Sequence, residues 1–182
     1  MQPDRNTSAV VIREARAPDA EAIRAVHLDA FDEEGATVAP LALALLADAS
    51  AQPVLALVAE VDGEVVGNVI FSAAQMQGAE QVSACILAPL AVVRRFQGMG
   101  IGRKLIEQGL ATLRERGVAW VFVLGDPRHY TRYGFSAEHQ VRAPYALEYP
   151  EAWMVMSLHG DALDSIGGQL QCAQALRHPE HW

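Results

Sequence analysis

The residues best suited to chemistry cluster around a glycine-rich turn. Glycines 98, 100 and 102 punctuate Gln97-Gly98-Met99-Gly100-Ile101-Gly102, between an apolar run ending at Val93 and a helix-like run from about Gly100. Glycine lets the backbone approach a ligand closely, and the first turn of a helix leaves its N–H groups without intrahelical partners. Such a turn is an anion site, because free donors and the positive end of the helix dipole point the same way. The dipole contributes only about 0.3–1 kcal/mol per charge, so several N–H groups must act together on a pyrophosphate. Arg94, Arg95, Arg103 and Lys104 concentrate positive charge around the turn in a chain whose formal charge is −8.

Spacing separates the phosphate-binding patterns. A Walker loop needs Gly-Lys-Ser/Thr, whereas Gly102 is followed by Arg103-Lys104-Leu105, with no hydroxyl for magnesium. A dinucleotide loop needs its third glycine three residues after the second, and position 103 is Arg. What remains is Gln-x-x-Gly-x-Gly after an apolar strand. No Gly-x-Ser-x-Gly elbow occurs, and the six histidines show no ligand spacing, so neither a hydrolase nor a metal site is expected. Cys85 and Cys172 have no partner at CxxC spacing and read as two free thiols, with Cys85 a buried strand residue rather than a nucleophile.

Positioning that turn requires a sheet. Val10 to Ala15 reads as a first strand, and Pro18-Asp19-Ala20-Glu21 carries helix-start signals, with either Pro18 or Asp19 at the first positions. Gly35 interrupts, and Val38 to Ala49 forms a second helix. Val54–Val61 and Val65–Ser72 flank Asp62-Gly63, a two-residue hairpin signal. Gln75 to Gln81 reads as a polar connection. Ser83 to Val93 is a strand, with an irregularity expected at Pro89, which cannot donate to the ladder. Ile101, Leu105, Ile106, Leu110 and Leu113 mark one face of a helix that Gly117 stops. Val118–Leu124 is a fully apolar strand, Asp126-Pro127 opens a short helix, and Trp153–Leu158 and Gly167–Cys172 complete the strands.

The 182 residues suit one domain, and 51% hydrophobic with 20% charged residues suits a packed core rather than disorder. With 14 Lys+Arg against 22 Asp+Glu, the chain lacks the basic face of a nucleic-acid binder. The N-terminal residues lack the apolar stretch of a secretion signal, and the longest apolar run, Ala39 to Ala47, is too short to span a bilayer. A cytoplasmic protein without nucleic-acid or membrane partners is expected. The division expected is a flexible N-terminus over 1–8, one domain over 9–160, and a C-terminal extension over 161–182 packing on it.

The stretch PLAVVRRFQGMGIGRKL, residues 89–105, resembles the acetyl-CoA-binding motif of the GNAT N-acetyltransferase superfamily. LGDPRHYTRYGF, residues 124–135, resembles that superfamily's second motif, specifically in its YhbS-like branch. The resemblance implies a single α/β domain: a mixed, mostly antiparallel sheet splayed at its centre, with helices on both faces. It implies that main-chain groups of Leu90, Ala91 and Val92 hold the pantetheine amides and the acetyl carbonyl. Backbone N–H groups of Gln97, Gly98, Met99, Gly100, Ile101, Gly102 and Arg103 would hold the pyrophosphate. A tyrosine four residues before Gly134-Phe135, here Tyr130, would protonate the departing thiolate, with Tyr133 as the rival. Many members carry Asn and Ala seven and four residues before that tyrosine; Val123 and Asp126 stand here, so the asparagine amide is missing.

The activity implied is transfer of an acetyl group from acetyl-CoA to a primary amine, small molecule or peptide, by direct attack in a ternary complex. A non-catalytic acyl-CoA-binding or sensor module is the alternative, and a protein keeping the fold without the cofactor is a third reading. Glu33, Glu34, Asp126, His129 and His27 are candidates for the base that deprotonates the amine, and none is assignable. The acceptor would be set by Phe31–Ala49 and Val141–Pro150. A homodimer through the C-terminal segment is compatible with the sequence.

Overall fold

The computed structural model describes residues 9–182; the expectation for residues 1–8 lies outside them. The strands are β1 (Val10–Glu14), β2 (Leu55–Val61), β3 (Glu64–Met76), β4 (Ala84–Val92), β5 (Trp120–Leu124), β6 (Gln140–Arg142), β7 (Trp153–Ser157) and β8 (Gly167–Gln171). Helices α1 (Ala20–Ala30) and α2 (Gly35–Ala47) precede β2, while α3 (Ile101–Glu115) joins β4 to β5 and the short α4 (Pro127–Tyr130) follows β5. The sheet runs β1-β2-β3-β4-β5-β7, with β8 beside the far end of β3 and carrying β6. Only β4–β5 and β6–β8 are parallel.

Local chemistry explains most of these elements. Asp62 and Gly63 both take positive φ (50° and 81°), as a tight hairpin turn with the strands' own twist requires. Opposite Ile70, which lies between Val69 and Phe71, β4 holds two residues, Ala88 and Pro89. That bulge is the irregularity expected at the proline. Amphipathic α3 buries Ile101, Leu105, Ile106, Leu110 and Leu113 on one face of the sheet. It comes close because Gly109 has no side chain: an added Cβ would overlap the Phe71 ring. On the other face, α1 and α2 bury Ile23, Leu41 and Leu45 against Val58, Ile70 and Ile86. The two apolar clusters, one per face, are the layered arrangement of an α/β sheet.

Three features differ from expectation. Gly35 opens α2 rather than merely separating it from α1, and it is buried because a Cβ there would lie 3.2 Å from the Leu28 backbone. Strand β3 extends to Met76, where Gln75 and Met76 pair with Gln171 and Leu170. The short β6 was not foreseen. Residues beyond β8 return to α2: the Ala175 N–H donates to Asp48 Oδ2 (2.9 Å) and the Gln174 N–H to Ser50 Oγ (2.8 Å).

Candidate active site

Strands β4 and β5 pair only at Ala84–Trp120, Cys85–Val121 and Ile86–Phe122. Beyond this β4 runs on to Val92 and β5 to Leu124 with no ladder between them, so the sheet opens into a wedge. The Val93 N–H donates to the Val66 carbonyl on the β3 side (2.9 Å). Because main-chain groups alternate along a strand, those of Leu90 and Val92 face the opening. Gln97 Nε2 donates to the Val92 carbonyl (2.9 Å), which folds the turn back on the strand.

At the wide end of the wedge, Gly98 and Gly100 hold φ of 76° and 78°, in the left-handed region that favours glycine. The first helical bond of α3 is from the Lys104 N–H to the Gly100 carbonyl. The N–H groups of Gly98, Met99, Gly100, Ile101, Gly102 and Arg103 have no acceptor among the described residues. Gln97 differs, since its N–H is bonded to the Arg94 carbonyl (3.2 Å), so the run of unused donors starts one residue later than expected. All of these residues except Met99 border a cleft of about 490 Å³ that is also lined by Leu90, Phe96, His129, Arg132 and Tyr133.

The charge around the turn is arranged differently from the sequence reading. Arg94 pairs with Asp32 and Arg95 with Glu64. Both arginines border a separate hollow against α1. Arg103 pairs with Glu107 (2.7 Å) while still bordering the cleft. Arg132, which the sequence reading passed over, supplies the cleft with a second guanidinium. No Asp or Glu lines it among the described residues.

Tyr130 and Tyr133 fall on opposite sides of the narrow part of the wedge. Tyr133 borders the 490 Å³ cleft, whereas Tyr130 borders a second hollow of about 540 Å³ beyond Leu90, the one residue lining both. The Tyr130 ring is half-buried, edge-on to Phe135 (5.8 Å) and His129 (4.8 Å), and its hydroxyl has no protein partner among the described residues. Burial pushes its pKa up to about 12, so the phenol is protonated at neutral pH. Gly125 makes room for it, since a Cβ there would overlap the Tyr130 ring. That packing requirement, rather than turn geometry, accounts for the glycine.

The second hollow is built from three stretches of chain: Phe31 to Leu41, Leu87 to Leu90 with Leu124 and Tyr130, and Leu176 with Glu180 to Trp182. Its lining is apolar apart from Glu34, Thr37, Tyr130, Glu180 and His181. The last turn of the chain is held in place by Trp182, whose Nε1 donates to the Leu176 carbonyl (2.8 Å) and whose ring packs on Trp153 (5.6 Å). No local signal in the sequence marks Glu180 or His181 for this hollow. Val141–Pro150, expected to shape the same site, instead line a different hollow with Trp153 and Gln169.

Each candidate base has a definite place. His27 is wholly buried, its Nε2 bonded to Asn68 Oδ1 (2.8 Å) and its ring stacked on Phe31. Asn68 Nδ2 donates to the Leu57 carbonyl, so Oδ1 accepts and His27 is neutral with its proton on Nε2. Burial holds its pKa below the usual histidine value. Asp126 caps α4 by accepting the Arg128 N–H (2.9 Å), and the Arg128 side chain depresses its pKa. His129 lines the 490 Å³ cleft, its pKa lowered by burial and by Arg132. Glu33 lines neither hollow; Glu34 lines the second. Burial pushes the Cys85 thiol up to about 12, which removes it as a nucleophile. Among the described residues no group of three or more His, Cys, Asp or Glu could hold a metal ion, and no helix is long and apolar enough to cross a membrane.

Comparison with known proteins agrees with this geometry. Residues 52–137 match the model of the acetyltransferase (GNAT) domain. The uncharacterized N-acetyltransferase YjhQ of Escherichia coli is 38% identical over 161 residues, spanning 85% of this chain and 87% of YjhQ. The crystal structure of YhbS from Escherichia coli, a GNAT family N-acetyltransferase in complex with CoA, superposes with a TM-score of 0.85 at 33% identity, covering 94% of each chain. A GNAT family acetyltransferase from Brucella melitensis in complex with acetyl-CoA gives 0.74 at 31% identity, covering 93% of this chain and 99% of that one. With the wedge, the turn and this likeness together, the chain belongs to the GNAT family of N-acetyltransferases, in its YhbS-like branch.

Proposed function

We propose that the protein transfers an acetyl group from acetyl-CoA to a primary amine, with the cofactor's phosphates at the glycine turn and the acceptor in the hollow beyond Leu90. The observation that carries this reading is the break in β4–β5 pairing after Ile86, next to six unused N–H donors. These residues suit a pyrophosphate bound to an extended chain of amides: Gly98 to Arg103 for the anion, and the main-chain groups of Leu90 with the Val92 N–H for the amides, the Val92 carbonyl being taken by Gln97. Acetyl-CoA, when bound, supplies an acetyl thioester whose C–S bond is exchanged for a C–N bond to the amine in a ternary complex.

The chain's own residues do the rest. The Leu90 N–H faces the opening, where it can hold the negative charge that develops on the acetyl oxygen; donors of that kind are worth about 2.7–4 kcal/mol elsewhere. Tyr130 holds a proton in the second hollow, beyond Leu90, and gives it to the leaving sulfur. Its high pKa does not prevent this, because a thiolate in the same apolar surroundings is raised for the same reason. Of the two protons the ammonium gives up, one restores Tyr130 and the other leaves to solvent, so a primary ammonium and a thioester become an amide, a thiol and one proton.

Thermal unfolding with acetyl-CoA, CoA, ATP and NAD tests the cofactor. A ligand at 100 times its dissociation constant adds about 2.7 kcal/mol, and only CoA and acetyl-CoA are expected to do so. With an acceptor in hand, Tyr130→Phe is expected to lower kcat by about 10²- to 10⁴-fold with CoA affinity unchanged. No shift with either thioester or thiol would end the transferase reading. A shift together with full activity in Tyr130→Phe would move the proton donor elsewhere.

A further inference from the structure

We infer that the acceptor is a primary amine carrying one ammonium group on an apolar, arylalkyl-like body, selected by Glu34 and Glu180 at the rim of the hollow beyond Leu90. The inference rests on the transferase reading and adds the substrate class. Its basis is the division of materials within one cavity. Phe31, Leu41, Leu87, Leu124, Leu176 and Trp182 present apolar surface, which an amine with a hydrophilic body would leave uncompensated.

Charge in the hollow has one sign. Glu34 and Glu180 are its carboxylates, and no Lys or Arg lines it among the described residues. Among the described residues Glu34 has no ion pair, and the nearest cationic atom to Glu180 is His181 Nε2 at 4.0 Å. Burial holds the His181 pKa below the usual value, so at neutral pH the ring adds no positive charge. An ammonium group is therefore drawn into the hollow past Glu34 and Glu180 toward Leu90 and Tyr130, where it meets the thioester, while its body lies on the apolar lining. The volume of about 540 Å³ suits a compact ligand. A peptide would need an open channel, and the chain from Leu176 to Trp182 forms a wall here, pinned by Trp182 against Trp153. Once there, the amine loses a proton and forms its C–N bond as the thioester C–S bond breaks, with Tyr130 supplying the thiol proton.

Calorimetric titration of the whole protein tests this without turnover, using 2-phenylethylamine, its neutral counterpart 2-phenylethanol, spermidine, a tripeptide of small residues, and CoA in parallel. The arylalkylamine is expected to bind at least about tenfold more tightly than the alcohol, spermidine or the peptide, since a charge-assisted hydrogen bond exceeds a tenfold effect. Glu34→Gln and Glu180→Gln are each expected to weaken it about five- to tenfold. Both side chains are exposed and neither makes a side-chain hydrogen bond among the described residues, so the variants should fold. Tighter binding of spermidine or the peptide, or indifference to both substitutions, overturns the inference. CoA binding with no 2-phenylethylamine binding overturns it and leaves the transferase reading standing; amine binding without CoA binding overturns the transferase reading, and the amine is then a ligand but no acceptor.

Discussion

The two hollows that meet at Leu90 are alike in size, about 490 and 540 Å³, and opposite in construction. The cleft at the glycine turn is built from main chain: unused N–H groups, with Arg103 and Arg132 and, among the described residues, no carboxylate. The other is built from side chains, apolar within, with Glu34 and Glu180 and, among the described residues, no Lys or Arg. A backbone site depends on where glycines and strand breaks fall, so a short segment can specify it. A side-chain site depends on which distant segments pack together. The opposite signs also keep a polyphosphate and an ammonium each in its own half, since exchange would set like charges against each other.

The hardest break of that contrast is at Gly100. A β-branched residue is a steric outlier at φ 78°, so Gly100→Val forces the turn to refold and scatters the N–H donors. Each donor to a charged group is worth about 1.5–3 kcal/mol, so misplacing two of them weakens CoA binding by about 100-fold or more. Titration of CoA reads this, while binding of 2-phenylethylamine in the other hollow stays within about twofold. Equal loss of both would show that the two halves are not independent.

Next in size is the junction. Gly125→Ala puts a methyl group into the space of the Tyr130 ring, which sits against Phe135 and cannot move back without displacing it. A misplaced proton donor lowers kcat by about 10- to 100-fold, with CoA affinity within about threefold. Steady-state kinetics beside CoA titration separates the two, and an unchanged kcat would remove Tyr130 from the reaction.

Why the turn could be read from sequence and the acceptor hollow could not follows from the same contrast. Gln97 to Gly102 and Asp62-Gly63 act through backbone dihedrals, which residue type controls directly. Pro89 marked its bulge because it lacks an N–H. By contrast, β8 finds β3 by joining Met76 to Leu170, a pairing no local pattern announces within the polar stretch Gln75–Gln81. Glu180, His181 and Trp182 enter the site only because Trp182 packs on Trp153 and Leu176. Val141–Pro150 was assigned to the acceptor site by its lack of pattern, and that says nothing about where a loop lands. Nor does residue type give the direction of a long side chain: Arg94 and Arg95 adjoin the turn in sequence yet pair with Asp32 and Glu64, away from the cleft.

That last point yields a smaller, sharper test. Arg132→Ala is expected to weaken CoA binding by about three- to fivefold at low salt, and less at high salt, because an exposed charge is screened. Arg95→Gln, though nearer the turn in sequence, is expected to leave CoA affinity within about twofold. Titrations at two salt concentrations decide it. A larger loss from Arg95→Gln would mean that the cleft draws on the basic cluster as a whole.

The smallest expected effect is a rate that does not change with pH, and it bears on which half of the wedge holds the proton donor. Burial, then the neighbouring Tyr133, raises Tyr130 to about 12 from an ordinary tyrosine value near 10. A raised pKa on a neutral acid extends its protonated form to higher pH, so the donor is lost only on approaching 12. The unfolded chain gives up that proton first, near 10, so the same shift erodes stability as pH rises from 10 toward 12. The useful window therefore closes at about pH 10.5. Within it, kcat at saturating amine and acetyl-CoA is expected to show no alkaline decline. Tyr133, only half-buried on the phosphate side, is the alternative donor. Burial raises Tyr133 less far than Tyr130, so an alkaline decline that already sets in inside that window would take the proton transfer from Tyr130 and give it to a less enclosed acid, placing the chemistry on the glycine-turn side of Leu90.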